Sequence, residues 1–167
     1  MKIKHYILLF SLLAIFTSCT IGYSFTGTSL SPDVKTVTID YFNNRASLVN
    51  PNLSQEFTEG LKDKFTSQAG LTLVENDGDL QFEGAITNYR LSPVAVQKDA
   101  AAMMRLTITV NVKFHNEKDP KQDFTQSFSQ YEDYSSDEDF SSVEETLTSS
   151  IVEKLLDKIF IKAAANW

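Results

Sequence analysis

Residues 105 to 114 read RLTITVNVKF. Leu106, Ile108, Val110, Val112 and Phe114 alternate without a break against Arg105, Thr107, Thr109, Asn111 and Lys113. Side chains on a strand point to opposite faces in turn, so this period of two marks a strand with one face in a core and the other in water. A helix would scatter the same five apolar residues around its circumference. The stretch therefore sets the task for the rest of the chain, which must pair its edges and cover its apolar face.

Strands to pair with it lie on both sides in sequence. Downstream, the turn HNEKDPKQ is punctuated by Asp119-Pro120 and leads into DFTQSFSQY (123–131), a strand whose Ser- and Thr-rich side predicts an exposed sheet face. Upstream, Leu80 to Leu91 alternates well enough for a strand and follows the turn residues ENDGD and a short apolar piece, LTLV. The first strand is VKTVTIDYF (34–42), with Val37, Ile39 and Tyr41 expected on one face and Thr36, Thr38 and Asp40 on the other.

The cover comes from two helices. Asn50 is placed to cap the first, with Pro51 at the first helical position, and Gly70 to end it. Leu53, Phe57, Leu61 and Phe65 form its apolar stripe, while Glu56, Glu59, Lys62 and Asp63 face water. Ser141 and Glu144 make a capping-box pair for the second. Its stripe runs Val143, Leu147, Ile151, Leu155, Ile159, Ala163, widened by Val152, Leu156 and Phe160. The expected fold is a single α+β domain, β-α-β-β-β-α, with two helices packed on one face of a four-stranded mixed sheet. A right-handed crossover through the first helix makes strands one and two parallel.

The N-terminus is of another kind. Lys2, Lys4 and His5 precede an apolar run from Tyr6 to Phe16, then Thr17, Ser18 and the only cysteine, Cys19. The run is about half of the roughly 20 residues that span a bilayer, which is the layout of a signal peptide. FTSC resembles a bacterial lipobox, with Phe16 where Leu is usual. That resemblance implies cleavage before Cys19 and a covalent acyl lipid on its sulfur, with no other cofactor. Each buried CH₂ contributes roughly 0.8 kcal/mol, so two or more chains hold a protein on a membrane. Thr20 stands where Asp would mark inner-membrane retention in the enteric sorting rule, so the expected address is the outer membrane. Residues 1–18 are then the signal peptide, 19–33 a lipidated tether and 34–167 the folded domain.

Without residues 1–18 the chain has 149 residues and a net charge of −9. A nucleic-acid binder carries the opposite sign. With Cys19 committed to lipid, a disulfide, zinc-thiolate cluster or thiol redox site is not expected. Catalytic groups are sparse: His115 is the one histidine after the signal segment and reads as a solvated turn residue, with no nucleophile motif near it. The acidic run EDYSSDEDF (132–140) lacks the glycine and ligand spacing of a calcium loop. It precedes a helix N-terminus, where negative charge is favoured. No metal site and no enzymatic role are expected.

The lipobox followed by GYSFTG (22–27), then NNRASLVNPNLSQEFTEGLKDKF (43–65), GDLQFEGAI (78–86), RLTITVNVKF and the closing long helix together resemble the LptE-like lipopolysaccharide-assembly lipoproteins in their Bacteroidetes-type form. The resemblance rests on extended segments and element order. It implies a lipid-anchored, periplasm-facing outer-membrane protein that sits in the lumen of an LptD-like β-barrel translocon. There it would plug and help assemble the barrel and assist lipopolysaccharide insertion into the outer leaflet. The alternative is an outer-membrane lipoprotein that activates or docks a periplasmic cell-wall enzyme.

The only three arginines offer a candidate contact surface for lipopolysaccharide or the partner. Arg45 follows the first strand, Arg90 ends the second and Arg105 begins the third, so the topology gathers them at the end of the sheet opposite the tether. A guanidinium fork suits phosphate because it binds two oxygens at once. The competing reading is that the acidic run at the same end neutralises them as ordinary strand-end charges.

Overall fold

The computed structural model describes residues 30–48, 50–94 and 102–164; Cys19, the signal segment and residues 19–29 of the tether lie outside the described residues. Among the described residues six strands and two helices follow in order: β1 (Thr36–Ile39), β2 (Asn43–Asn44), α1 (Leu53–Ser67), β3 (Thr72–Leu73), β4 (Leu80–Val94), β5 (Met103–Asn116), β6 (Phe124–Ser135) and α2 (Phe140–Ala164). A 3₁₀ turn at Pro120–Gln122 joins β5 to β6.

The strands form one mixed sheet in the order β3-β1-β4-β5-β6, with β2 also beside β4. β1 is parallel to both β3 and β4, and the pairs β4-β5 and β5-β6 are antiparallel. The stretch that opened the sequence is the heart of the sheet: Leu106, Ile108, Val110 and Val112 are wholly buried and Phe114 nearly so. Both helices lie on that face. Leu53, Phe57, Leu61 and Phe65 of α1 join Ile151, Leu155 and Ile159 of α2 in the same core, each with no exposed surface. A chain of ring contacts runs through it, from Phe65 to Phe82, Phe114 and Phe124.

The expected first strand is really two, and its interruption changes the faces. Ile39 is level with Phe82 but Asn43 with Ala85, so one strand advances four residues while its partner advances three. An extra residue in a strand reverses the inside-outside alternation beyond it. Tyr41, expected inside, is 54% exposed, and Phe42 is buried in its place. Phe42 packs on Phe57 at 5.0 Å between ring centroids, and its N–H donates to Thr58 Oγ1. Gly84 makes room: a Cβ there would lie 2.5 Å from the Phe42 ring and 2.1 Å from the Asn111 carbonyl oxygen. With β3 added as a short parallel edge, the expected four strands become six.

Both helix starts also differ from expectation. α1 begins at Leu53, after a turn in which Asn50 Oδ1 accepts from the Asn52 N–H, so Asn50 and Pro51 lead into the helix rather than open it. Asp139, not Ser141, serves the start of α2, accepting from the N–H and the hydroxyl of Ser141. Gly70 does end α1, at φ +67°, a conformation glycine adopts freely, and the Leu71 N–H turns back to the Phe65 carbonyl.

Candidate functional site

The face of the sheet without helices is the surface on which polar groups converge. Thr107, Thr109, Asn111 and Lys113 of β5 lie on it, since their neighbours point into the core. On β6 the corresponding residues are Thr125, Ser127, Ser129, Tyr131 and Asp133, fixed by the pairs Lys113↔Thr125 and Arg105↔Asp133. Hydroxyl and amide groups link across the strands, as in Thr109–Ser129 and Asn111–Ser127.

All three arginines stand on this face. Arg90 is opposite Thr107, and Arg105 is opposite Ser92 two residues further along. Arg45 follows Asn44, which is level with Ile86, and its N–H donates to the Ile86 carbonyl. The three therefore occupy the half of the sheet remote from the start of β1, which lies beside Leu80 and Asn116. They form a row rather than a point. From the level of Arg45 to that of Arg105 is about five residues of β4, or roughly 17 Å at strand rise.

Their surroundings differ. Arg105 holds Asp133 through two bonds, of 2.6 and 2.8 Å, and its guanidinium lies 3.6 Å from the centroid of the Tyr131 ring. Each partner stabilises the charge of the other: Asp133 is kept below the usual carboxylate range by Arg105, and Arg105 is raised by Asp133. The acidic run thus neutralises one arginine of the three. Arg45 and Arg90 are exposed, and among the described residues no carboxylate forms an ion pair with either. Arg45 borders a shallow hollow of about 420 Å³ floored by Gly84 and Ala85 and rimmed by Asp40, Tyr41, Asn43, Glu83 and Lys113. The small floor residues and the exposed Tyr41 ring create the concavity.

Two other acids of the run are engaged inside the chain. Glu132 accepts from Ser150 and Lys154 of α2, which hold its carboxyl low, and Asp139 caps that helix. Among the described residues no group of three or more His, Cys, Asp or Glu could hold a metal ion. His115 is less free than a solvated turn residue. Its Nδ1 lies 2.6 Å from Asp123 Oδ2 and its Nε2 3.1 Å from Glu117 Oε2, and these two carboxylates raise its pKa. The three pin the β5-β6 turn.

Two polar junctions escaped the sequence reading. Asp79 accepts from the N–H groups of Lys35 and Thr36, the Thr36 hydroxyl and the Lys118 ammonium. The Lys35 N–H and Lys118 contribute most to holding its carboxyl far below the usual range. The second junction centres on Glu144, whose Oε1 accepts from Tyr89 Oη at 2.6 Å and from Asn50 Nδ2 at 2.9 Å. Burial, then Glu144, pushes the Tyr89 hydroxyl up to about 12. The sheet and the entries to both helices are tied together there. Only the turn residues around Asp79 and the capping-box place of Glu144 hinted at either.

Comparison with known proteins supplies the family. The model of the LptE, lipopolysaccharide-assembly family matches residues 34–163, nearly all of the folded part. No curated protein sequence matches the chain significantly. Among solved structures, a minor lipoprotein from Acinetobacter baumannii superposes with a TM-score of 0.52 at 16% identity, covering 78% of this chain and 94% of that one. A hypothetical protein from Chlamydia trachomatis gives 0.51 at 12% identity, covering 78% and 97%. At such identities the superpositions establish a shared fold, while the family match extends over about four-fifths of the sequence and takes in all six described strands, the first helix and all but the last residue of the second. This chain belongs to the LptE family of lipopolysaccharide-assembly proteins.

Proposed function

We propose that this protein is an outer-membrane lipoprotein, held by acyl chains on Cys19, that plugs and helps to assemble the β-barrel translocon for lipopolysaccharide and assists delivery of lipopolysaccharide to the outer leaflet. The observation that carries this reading is the family match over residues 34–163. The sheet topology agrees with the division of labour the reading needs. The tether enters at the start of β1, and the arginine row stands at the other end of the helix-free face. An anchor at one pole leaves the far pole to meet phosphate-bearing lipid or the barrel wall.

On this reading the protein works by binding and positioning, without a catalytic step. Arg45 and Arg90 form no ion pair among the described residues of a chain that is strongly acidic overall, and Arg105 is already shared with Asp133. The first two would carry most of any phosphate contact. Reversing Arg45, Arg90 and Arg105 to Glu tests the surface: lipopolysaccharide binding or barrel association should fall at least ten-fold while the melting temperature holds. Unchanged behaviour in both assays would leave the arginines as ordinary surface charges.

A further inference from the structure

The two edges of the sheet are managed in opposite ways. β3, at one edge, is two residues long, which limits what could pair with it. β6, at the other, runs for twelve residues with no proline, no lysine and no arginine. Its register with β5 is continuous from Phe114↔Phe124 to Met103↔Ser135, without a bulge. Short length, bulges, proline and inward-pointing charge are devices by which proteins blunt an edge; β6 lacks the first three, and Glu132, which faces the helix, is its one inward-pointing charge. Its two carboxylates do not guard it either, since Glu132 is held by Lys154 and Asp133 by Arg105.

Two exposed apolar side chains flank this edge, one on each side. Tyr131 is 48% exposed on the helix-free side. On the helix side Lys154 reaches Glu132 and Lys162 lies over the Phe124 ring, so that face of α2 overhangs β6. Ile161, seven residues after Lys154 and therefore on the same helix face, is 53% exposed. A strand laid along β6 would gain a row of backbone bonds and meet an apolar contact on each of its faces.

We infer that the outer edge of β6, which pairs with no other strand among the described residues, is a strand-addition site for an extended, uncharged segment of the barrel partner, a reading that rests on the proposed function. The chemistry at the edge selects polypeptide over lipopolysaccharide. It offers alternating backbone N–H and C=O groups at strand spacing and no cation on the strand itself, which matches another strand and leaves Lys162 of α2 as the cation nearest to Phe124 that a phosphate could meet. A closed barrel wall has no unpaired edge of its own, so the segment comes from a part of the partner outside the wall. Side chains alternating between small polar and aromatic or aliphatic fit best, continuing the Ser127–Ser129 row on one face and the Phe124–Phe128 row on the other.

Amide hydrogen exchange resolved by residue, on the lipidated chain alone and on the detergent-extracted complex with the barrel, tests this directly. In the chain alone, alternate amides between Phe124 and Ser135 exchange fast because they point away from β5. In the complex those same amides should slow at least a hundred-fold. Proline at one outward-facing position, chosen from Gln126, Ser127, Ser129 and Gln130 by the exchange pattern, should cut recovery of the barrel at least ten-fold and leave the melting temperature unchanged. The inference is overturned if the barrel co-purifies while the outward amides stay fast, or if they are already slow in the chain alone at high concentration, which would mean a second copy fills the edge. Absence of the barrel from the extract overturns the inference and the proposed function together; an intact complex with fast edge amides overturns the inference alone.

Discussion

Truncation of Val110 to Ala measures how the sheet is oriented. Val110 is wholly buried at the middle of β5, level with Ile86 on one side and Phe128 on the other. The substitution removes two methyl groups, which at roughly 0.8 kcal/mol each costs about 1.6 kcal/mol in transfer free energy. Both neighbours are held in paired strands, so the site closes only partly. A residual void of about 20 Å³ at about 24 cal/mol per Å³ adds about 0.5 kcal/mol. The expected loss is about 2 kcal/mol, read as a shift in the urea midpoint at constant m-value. Asn111→Ala is the control, since that side chain lies on the other face and bonds only Ser127 Oγ at 3.2 Å. Its cost should stay near 0.5 kcal/mol, as for other surface changes. Equal effects of the two substitutions, or a loss below about 0.5 kcal/mol for Val110→Ala, would refute the assignment of faces.

Three further outcomes follow from other parts of the chain. Cys19→Ala should abolish metabolic labelling by palmitate and release the protein from the membrane fraction; continued labelling would contradict the anchor. Gly84→Ala, which favours a strand on propensity alone, should instead destabilise by about 1–3 kcal/mol in thermal melts, because the new Cβ meets the Asn111 carbonyl and the Phe42 ring. A neutral or stabilising result would mean that Phe42 does not pack where it is described. Asp79 has a folded pKa depressed below its unfolded value, so its contribution is complete above about pH 4 and is lost as the pH falls through the range below that. Asp79→Asn should therefore flatten the acid limb of stability against pH, and an unchanged limb would place the acid sensitivity elsewhere.

What was legible in the sequence is local pattern on regular elements. The stripes of β5 and α1 are such patterns, and every residue of both lies in the core as the spacing predicts. The extra residue between Ile39 and Asn43 is invisible to alternation, because the period of two assumes an unbroken strand. That one residue moves Tyr41 to the surface, brings Phe42 into the core and turns Arg45 onto the helix-free face. Arg105 could be placed by parity, Arg45 only by the structure. Asp79 and Glu144 were missed for a different reason. Their partners Thr36, Asn50 and Tyr89 are 43 to 94 residues away in sequence, and no local pattern encodes such pairs. Glu144 did look like a capping-box residue, but a buried tyrosine hydroxyl that must find an acceptor competes for the same carboxylate.

The most direct test of the account is what the lipidated, full-length protein brings with it from the membrane. After extraction in mild detergent and purification through the chain itself, a large β-barrel that shifts its electrophoretic mobility on heating should co-purify in near-equal amount. Depleting the protein should reduce the heat-modifiable form of that barrel. Recovery without any such barrel, or with a penicillin-binding enzyme in its place, would contradict the account.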